Sequence, residues 1–452
     1  MAEGNPQSET CSGSGIPNLK SQISNLKSPP SIISWNLTRV CNERCQHCYL
    51  NAGPYADRSD ELSTAECLEV LAQLQDLAPG ALLIFTGGEP LLRADIYDLA
   101  RAGREAGFTV VVGTNGIRLT SERLAHLREA GVQGVALSLD SLHPEVHDAF
   151  RGRPGAWQAT VASIEHLQED GLPFVLQTTV SRTNLKELPD LVAFAAETGA
   201  RTYNLYFLVP TGRGETFTSD ITPGEYETLL KDIRRWQGTY AGRLLLSAKC
   251  APHYQRVLWE HDPDSPYLRA FDQGAGGCPA GMQYLGIRPN GDVTPCPYLP
   301  VYGGNLRRQP LAAIWHESNL FQQIRQRHAL TDRCGACEFR LLCGGCRARA
   351  YGVTGDVMAE DPWCKYEPGA QGGRLISPDG AVAYGIEAGG ELVWSAEAQR
   401  LLDVIPTFVR GRVQRGAETY AREHGYAVVT PEVMQQAREK RGPIAERLFP
   451  RR

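Results

Sequence analysis

Cys41-Asn42-Glu43-Arg44-Cys45-Gln46-His47-Cys48 follows the first apolar run of the chain, Ile32–Leu37, and sets three cysteines on one tight loop at C-x3-C-x2-C spacing. Three thiolates so placed can hold three irons of a cubane and leave the fourth iron without a protein ligand, open to a chelating molecule. The same spacing also suits a zinc knuckle that takes a fourth ligand from His47 or elsewhere.

Outward from that loop, short apolar runs alternate with amphipathic stretches. The runs are Ile32–Leu37, Ala81–Phe85, Thr109–Val112, Gly134–Leu139, Phe174–Thr179 and Thr202–Phe207. Between them the pattern predicts helices over Ser63–Leu77, Ser121–Ala130, Trp157–Gln168 and Asn184–Thr198, the first opened by the capping box Ser63-Thr64-Ala65-Glu66. Six β–α units with short links imply a parallel sheet, curled or open, with chemistry at the carboxyl ends of its strands.

At 452 residues the chain has length for about three domains. Lys and Arg total 46 against 51 Asp and Glu, a net charge of −5, which argues against a nucleic-acid or other polyanion partner. No apolar signal core and no run near the ~18 residues of a membrane span occurs, so the chain is read as cytoplasmic. There thiols stay reduced, and the 13 cysteines read as metal ligands rather than a disulfide framework.

The organisation expected is a flexible leader at 1–30, holding Cys11 idle, and an α/β core at 31–208. A connection of polar loops and one helix (Pro223–Trp236) covers 209–277, and a Cys-, Gly- and Pro-dense region covers 278–368. After the break at Gly369–Gly373, a small helical module at 374–445 includes helices over Leu392–Ile405 and Pro431–Arg441.

Cys41–Cys48 with the following Tyr49 resembles the signature of the radical S-adenosylmethionine (SAM) superfamily. The resemblance continues through Thr86-Gly87-Gly88-Glu89-Pro90, like that superfamily's GGEP motif, and spans about residues 32–208. It implies a partial (β/α)6 barrel and a [4Fe–4S] cluster on Cys41, Cys45 and Cys48 that binds SAM. Gly87, Gly88, Glu89 and Pro90 would lie at the SAM amino group. Thr114-Asn115-Gly116 and Ser138-Leu139-Asp140 look like the ribose-side contacts, through Thr114, Asn115, Ser138 and Asp140. Arg182 is a candidate for the SAM carboxylate, or a solvated loop arginine.

Cys278-x12-Gly291-x4-Cys296, Cys334-x2-Cys337-x5-Cys343-x2-Cys346 and Cys364 form a second constellation. Alone, its C-x2-C-x5-C-x2-C part could be a structural zinc site. Beside the first motif it resembles the SPASM auxiliary-cluster region. By that resemblance Cys278, Cys296 and Cys346 hold one auxiliary [4Fe–4S] cluster, and Cys334, Cys337, Cys343 and Cys364 hold another. One departure is Gly344-Gly345, two residues where the family usually has three. Cys250 is either an eighth ligand or a free thiol, and Cys67, on the inner stripe of the first helix, belongs to the core.

The stretches Cys343–Tyr351, Ala359–Cys364 and Gly291–Tyr298 further resemble the radical SAM enzymes of alternative haem and haem d1 biosynthesis, which remodel tetrapyrrole propionates. Trp394-Ser395-Ala396-Glu397-Ala398 and Glu418-x-Tyr420-Ala421-Arg422-Glu423 resemble the small C-terminal domain of light-independent protochlorophyllide reductase. The function these resemblances imply is reductive cleavage of SAM to a 5′-deoxyadenosyl radical that modifies a propionate, with loss of carbon dioxide or a larger fragment. An external donor such as ferredoxin or flavodoxin supplies the electron. Arg151, Arg153 and Arg213, on loops after strand ends, are candidates to bind propionate. The alternatives are a peptide maturase and, outside enzymes, a zinc-binding interaction module.

Overall fold

A computed structural model describes residues 29–263, 265, 268, 277–373, 375–376, 393–405, 407–424, 426 and 428–440. The leader with Cys11 and the end of the chain lie outside the described residues.

All six expected strands form: β1 (Ile32–Asn36), β2 (Leu82–Thr86), β3 (Thr109–Thr114), β4 (Gly134–Ser138), β5 (Phe174–Val180) and β6 (Thr202–Phe207), each parallel to its neighbour. Two further strands extend the parallel array. β7 (Leu245–Lys249) pairs with β6, and β8 (Tyr284–Ile287) pairs with β1. Antiparallel β9 (Asp292–Thr294) and β10 (Gly304–Asn305) follow β8, giving an open sheet of order β10-β9-β8-β1-β2-β3-β4-β5-β6-β7. In the sequence, β7 falls within the expected connection 209–277 and β8 within the Cys-dense region 278–368. Both are short, five and four residues, which leaves few positions for alternation to mark a strand.

Alternation along the strands separates two faces. Ile33, Trp35, Leu83, Phe85, Val110, Val112, Val135, Leu137, Leu176, Tyr203, Leu205, Leu246 and Leu285 enter one buried core with the helices. Helix Thr64–Leu77 supplies Cys67, Val70, Leu71 and Leu74 to it, and its expected capping box is present at Ser63 and Glu66. Each such buried leucine stabilises the fold by about 1.5–3 kcal/mol. The opposite face carries Ser34, Asn36, Thr86, Ser138, Gln177, Asn204, Tyr206, Ser247, Lys249 and Tyr284, a polar lining that cannot close on itself as a core.

A second core of Val209, Leu299, Ile324, Leu330, Ala348, Val357 and Met358 includes Cys334 and Cys346. The C-terminal segment has its own small core, Ala417, Ala421, Val429, Val433 and Ala437. It contains helices Ala396–Asp403, Thr407–Glu423 and Pro431–Lys440 with a two-residue parallel pair, β11 (Val393–Trp394) and β12 (Val428–Val429). Neither the long middle helix nor the strand pair had been read from the sequence.

Candidate functional site

The cysteine loop leaves the carboxyl end of β1 and is framed from every side by backbone. Arg44 N–H donates to Arg151 O (3.0 Å), Gln46 N–H to Phe150 O (3.0 Å) and Cys41 N–H to Gly53 O (3.1 Å). Arg213 donates through Nε to Cys45 O (2.7 Å) and through Nη1 to Ala52 O (2.9 Å), and Arg153 Nη1 donates to Asn42 O (2.9 Å). Arg213 and Arg153 thus hold the loop instead of waiting for a carboxylate, which corrects their assignment to propionate.

Gly87 and Gly88 meet this chain's own backbone. A Cβ on Gly87 would lie 2.6 Å from Thr38 O, and one on Gly88 2.2 Å from Val40 O. Gly88 and Glu89 N–H donate to Thr38 O and Val40 O at 2.7 and 2.9 Å, so the GGEP turn zips onto the residues that lead into Cys41. Pro90 opens a single 3-10 turn after Glu89.

Glu89 is wholly buried and accepts from Thr114 Oγ1 (2.8 Å), Asn115 N–H (2.9 Å) and Leu91 N–H (3.0 Å). Burial raises its pKa while these donors oppose the rise. Asn115 Nδ2 reaches Asn42 Oδ1 at 2.7 Å and Cys41 Sγ at 3.8 Å. The second and third motifs are therefore cross-linked to each other and to the cysteine loop. Asn42, which spacing alone did not single out, is part of that link.

Asp140 is also buried and is committed to Arg151, whose Nε lies 2.6 Å from Oδ2, and to Thr179 N–H at 2.7 Å. Arg151 Nη1 points at Cys45 Sγ, 3.8 Å away. Arg151 is accordingly a buried cation beside a cysteine, not a surface arginine at the mouth. Ser138 is half-buried on the polar face of β4. Arg182 stands apart, its side chain half exposed with Nε 3.7 Å from Glu225 Oε2.

The three loop thiols act electrostatically on one another. Burial pushes Cys41 up to about 12. Backbone donors reach Cys41 Sγ from Glu43 and Cys48 Sγ from Ala52, both at 3.4 Å. The His47 ring stacks on Phe150 at 4.5 Å, and burial lowers its pKa.

The later cysteines fall into two groups. Cys346 is in side-chain hydrogen-bond contact with Cys278 and Cys250, and Cys296 interacts electrostatically with Cys278 and Cys346. Cys250 joins them from a left-handed backbone conformation (φ 56°), rare outside glycine, held by Arg349 Nη2 donating to its carbonyl at 2.8 Å. Cys334, Cys337, Cys343 and Cys364 line one small pocket with Gly344 and Gly345. Gly344 and Gly345 adopt φ of 65° and 63°, and a Cβ on Gly345 would press to 3.1 Å from Cys334 Sγ. Arg347, wholly buried, points Nη2 at that sulfur from 3.8 Å. Cys67 lies in the helix core, 3.9 Å from Leu62 O.

All twelve described cysteines are unpaired. Three groups of mostly buried thiols, each fed by backbone N–H groups or an arginine, offer the donor chemistry that iron–sulfur clusters take. Among the described residues no set of three or more His, Cys, Asp or Glu is already gathered around a single-ion site. The residues present fit the groups.

Comparison with known proteins agrees. Residues 35–195 match the radical SAM superfamily, 278–338 an iron–sulfur cluster-binding domain, and 394–438 the proto-chlorophyllide reductase 57 kD subunit. The chain is 40% identical to an AdoMet-dependent heme synthase of Methanosarcina barkeri, covering 75% of this chain and 97% of that one. It is 31% identical to a pre-heme d1 synthase of Dinoroseobacter shibae, over 78% of this chain and 90% of the relative. Among solved structures, Streptococcus suis SuiB bound to S-adenosylmethionine superposes with a TM-score of 0.62 at 19% identity, covering 77% of this chain and 80% of SuiB, a likeness of fold. This chain belongs to the radical SAM superfamily, as an enzyme of [4Fe–4S] clusters and SAM with a SPASM-type region, in the family that holds the AdoMet-dependent heme synthases.

Proposed function

We propose that the chain is a haem synthase that converts propionate side chains of an iron tetrapyrrole by radical SAM chemistry. The observation that carries this is the 40% identity to an AdoMet-dependent heme synthase over 97% of its length. The peptide-maturase reading has the shared fold behind it, and fold alone does not choose a substrate.

In this reading Cys41, Cys45 and Cys48 hold the SAM-binding cluster. When bound, that cluster supplies the electron that splits SAM into methionine and a 5′-deoxyadenosyl radical. The chain's residues do the positioning. Gly87, Gly88 and Pro90 lock the loop onto β2, and Glu89 braces Thr114 and Asn115 so that Asn115 meets the loop at Asn42. Asp140 and Ser138 sit at the carboxyl end of β4, where Asp140 fixes Arg151 beside Cys45. Arg182 is kept as the candidate for the SAM carboxylate. Cys278, Cys296 and Cys346, with Cys250 as fourth ligand, hold one auxiliary cluster, and Cys334, Cys337, Cys343 and Cys364 hold the second. Arg151 and Arg347 compensate thiolate charge that burial alone disfavours.

The domain assignment keeps the core at 31–208, the connection at 209–277, the cluster region at 278–368 and the C-terminal module at 374–445, with β7 and β8 completing the core sheet. The electron donor is external, a ferredoxin or flavodoxin, and nucleic acid is not a partner. Cytoplasmic residence is supported by the many unpaired thiols. No helix among the described residues is long and apolar enough to cross a membrane.

The test is anaerobic turnover of the reconstituted chain with SAM, dithionite and a panel holding iron-coproporphyrin and decarboxylated sirohaem, read by mass spectrometry. Formation of 5′-deoxyadenosine together with a tetrapyrrole that has lost propionate carbon supports the reading. SAM cleavage with every tetrapyrrole unchanged overturns it.

A further inference from the structure

The polar face of the sheet holds two cations, Lys249 and Arg288, that no carboxylate among the described residues pairs with; the charge nearest Lys249 is that of the Cys250 thiol beside it. Lys249 ends β7, opposite the core-facing Leu246, and is the register partner of Tyr206 on β6. Arg288 directly follows β8, two residues beyond Gly286 and on the same side as Tyr284 by strand alternation. Tyrosines connect them. Tyr206 and Tyr298 have ring centroids 6.1 Å apart, Tyr298 and Tyr49 4.8 Å, and Arg288 acts electrostatically on the Tyr49 hydroxyl. Tyr49 follows Cys48 and Tyr298 follows Cys296 by two, so these rings stand beside both the SAM-binding loop and the first auxiliary cysteine group.

Among the described residues neither Lys249 nor Arg288 has a carboxylate partner, and Arg288 Nε is buried with no hydrogen bond at all. Of the arginines that touch the loop, Arg151 is paired with Asp140, and Arg153 and Arg213 donate to loop carbonyls. A half-buried cation without a counter-ion is costly, and the cost is offset once an anion arrives.

We propose that Lys249 and Arg288 are positioning residues that anchor two carboxylates of the substrate between the carboxyl ends of β7 and β8, with the tyrosines as flat walls for its macrocycle. This rests on the haem-synthase reading. The carboxylates they hold are ones that stay, because an ion pair stabilises a carboxylate against loss as carbon dioxide.

The test is titration of the anaerobic, reconstituted full chain with iron-coproporphyrin III, followed at the Soret band, with iron and sulfide content measured on every variant. Lys249→Met and Arg288→Met each weaken binding by ~10- to 100-fold, the range of a lost charge-assisted contact. Lys249→Arg and Arg288→Lys stay within a few-fold of the parent. The tetramethyl ester of the same macrocycle binds parent and Met variants alike. If the parent binds and converts the tetrapyrrole but the Met variants bind it equally well, the anchors are wrong and the enzyme reading stands. Charge-keeping variants that fall as far as the Met variants overturn the anchors too, by showing a steric role. If the parent neither binds nor changes the tetrapyrrole while it cleaves SAM, the enzyme reading fails and the anchors fall with it.

Discussion

A Cβ on Gly88 would stand 2.2 Å from Val40 O, and the neighbour that would have to give way is backbone one residue before Cys41. Overpacking of this kind costs about 1–3 kcal/mol, and here the strain falls on a cluster ligand. Gly88→Ala is therefore expected to lose one cluster's worth of iron and sulfide while the auxiliary cysteines keep theirs. Full iron content in the purified variant would refute the steric argument. At the ligands themselves, Cys41→Ala, Cys45→Ala and Cys48→Ala should each abolish 5′-deoxyadenosine formation. A single one that still forms it at the parent rate means that cysteine is no ligand. The triple variant should keep iron–sulfur absorbance from the other two cysteine groups, and a colourless protein would contradict them.

Helix Pro144–Arg151 delivers Arg151 from its last turn into the end of β4, where Asp140 meets it with both side chains buried. Arg151 also lies 3.8 Å from the buried Glu43 carboxylate, so losing Asp140 removes one of two counter-ions and costs less than the ~3–5 kcal/mol of a fully broken buried pair. Asp140→Asn should lower the unfolding free energy by about 1–3 kcal/mol in anaerobic denaturant titration, and Arg151→Met, which leaves both Asp140 and Glu43 without their cation, should lower it further. Equal stability of Asp140→Asn and parent would show that the pair is solvated. Such contacts explain what the chain disclosed before its fold was known. Cysteine spacing, glycine turns and the Ser63 cap act within a few residues, so they are legible along the chain. The partnership of Asp140 with Arg151 needs a helix of known length. That of Lys249 with Tyr206 needs the β6–β7 register, and β7 itself, the run Leu245–Lys249, is too short to announce a strand.

For the molecule as a whole, the C-terminal segment packs on residues of its own and shares none with the main core. A chain ended after residue 376 should keep its iron and sulfide and its substrate-independent SAM cleavage, measured as 5′-deoxyadenosine. Loss of either would show that the segment supports the catalytic body. The auxiliary region behaves differently, because β8, which leads into β9 and Cys296, is hydrogen-bonded along β1, the strand that ends at the SAM-binding loop. Two redox centres carried on adjacent strands of one sheet have no hinge between them. Their separation is set by the fold like the spacing of rungs on a ladder, and electron hopping between them runs over a constant gap at every stage of the cycle.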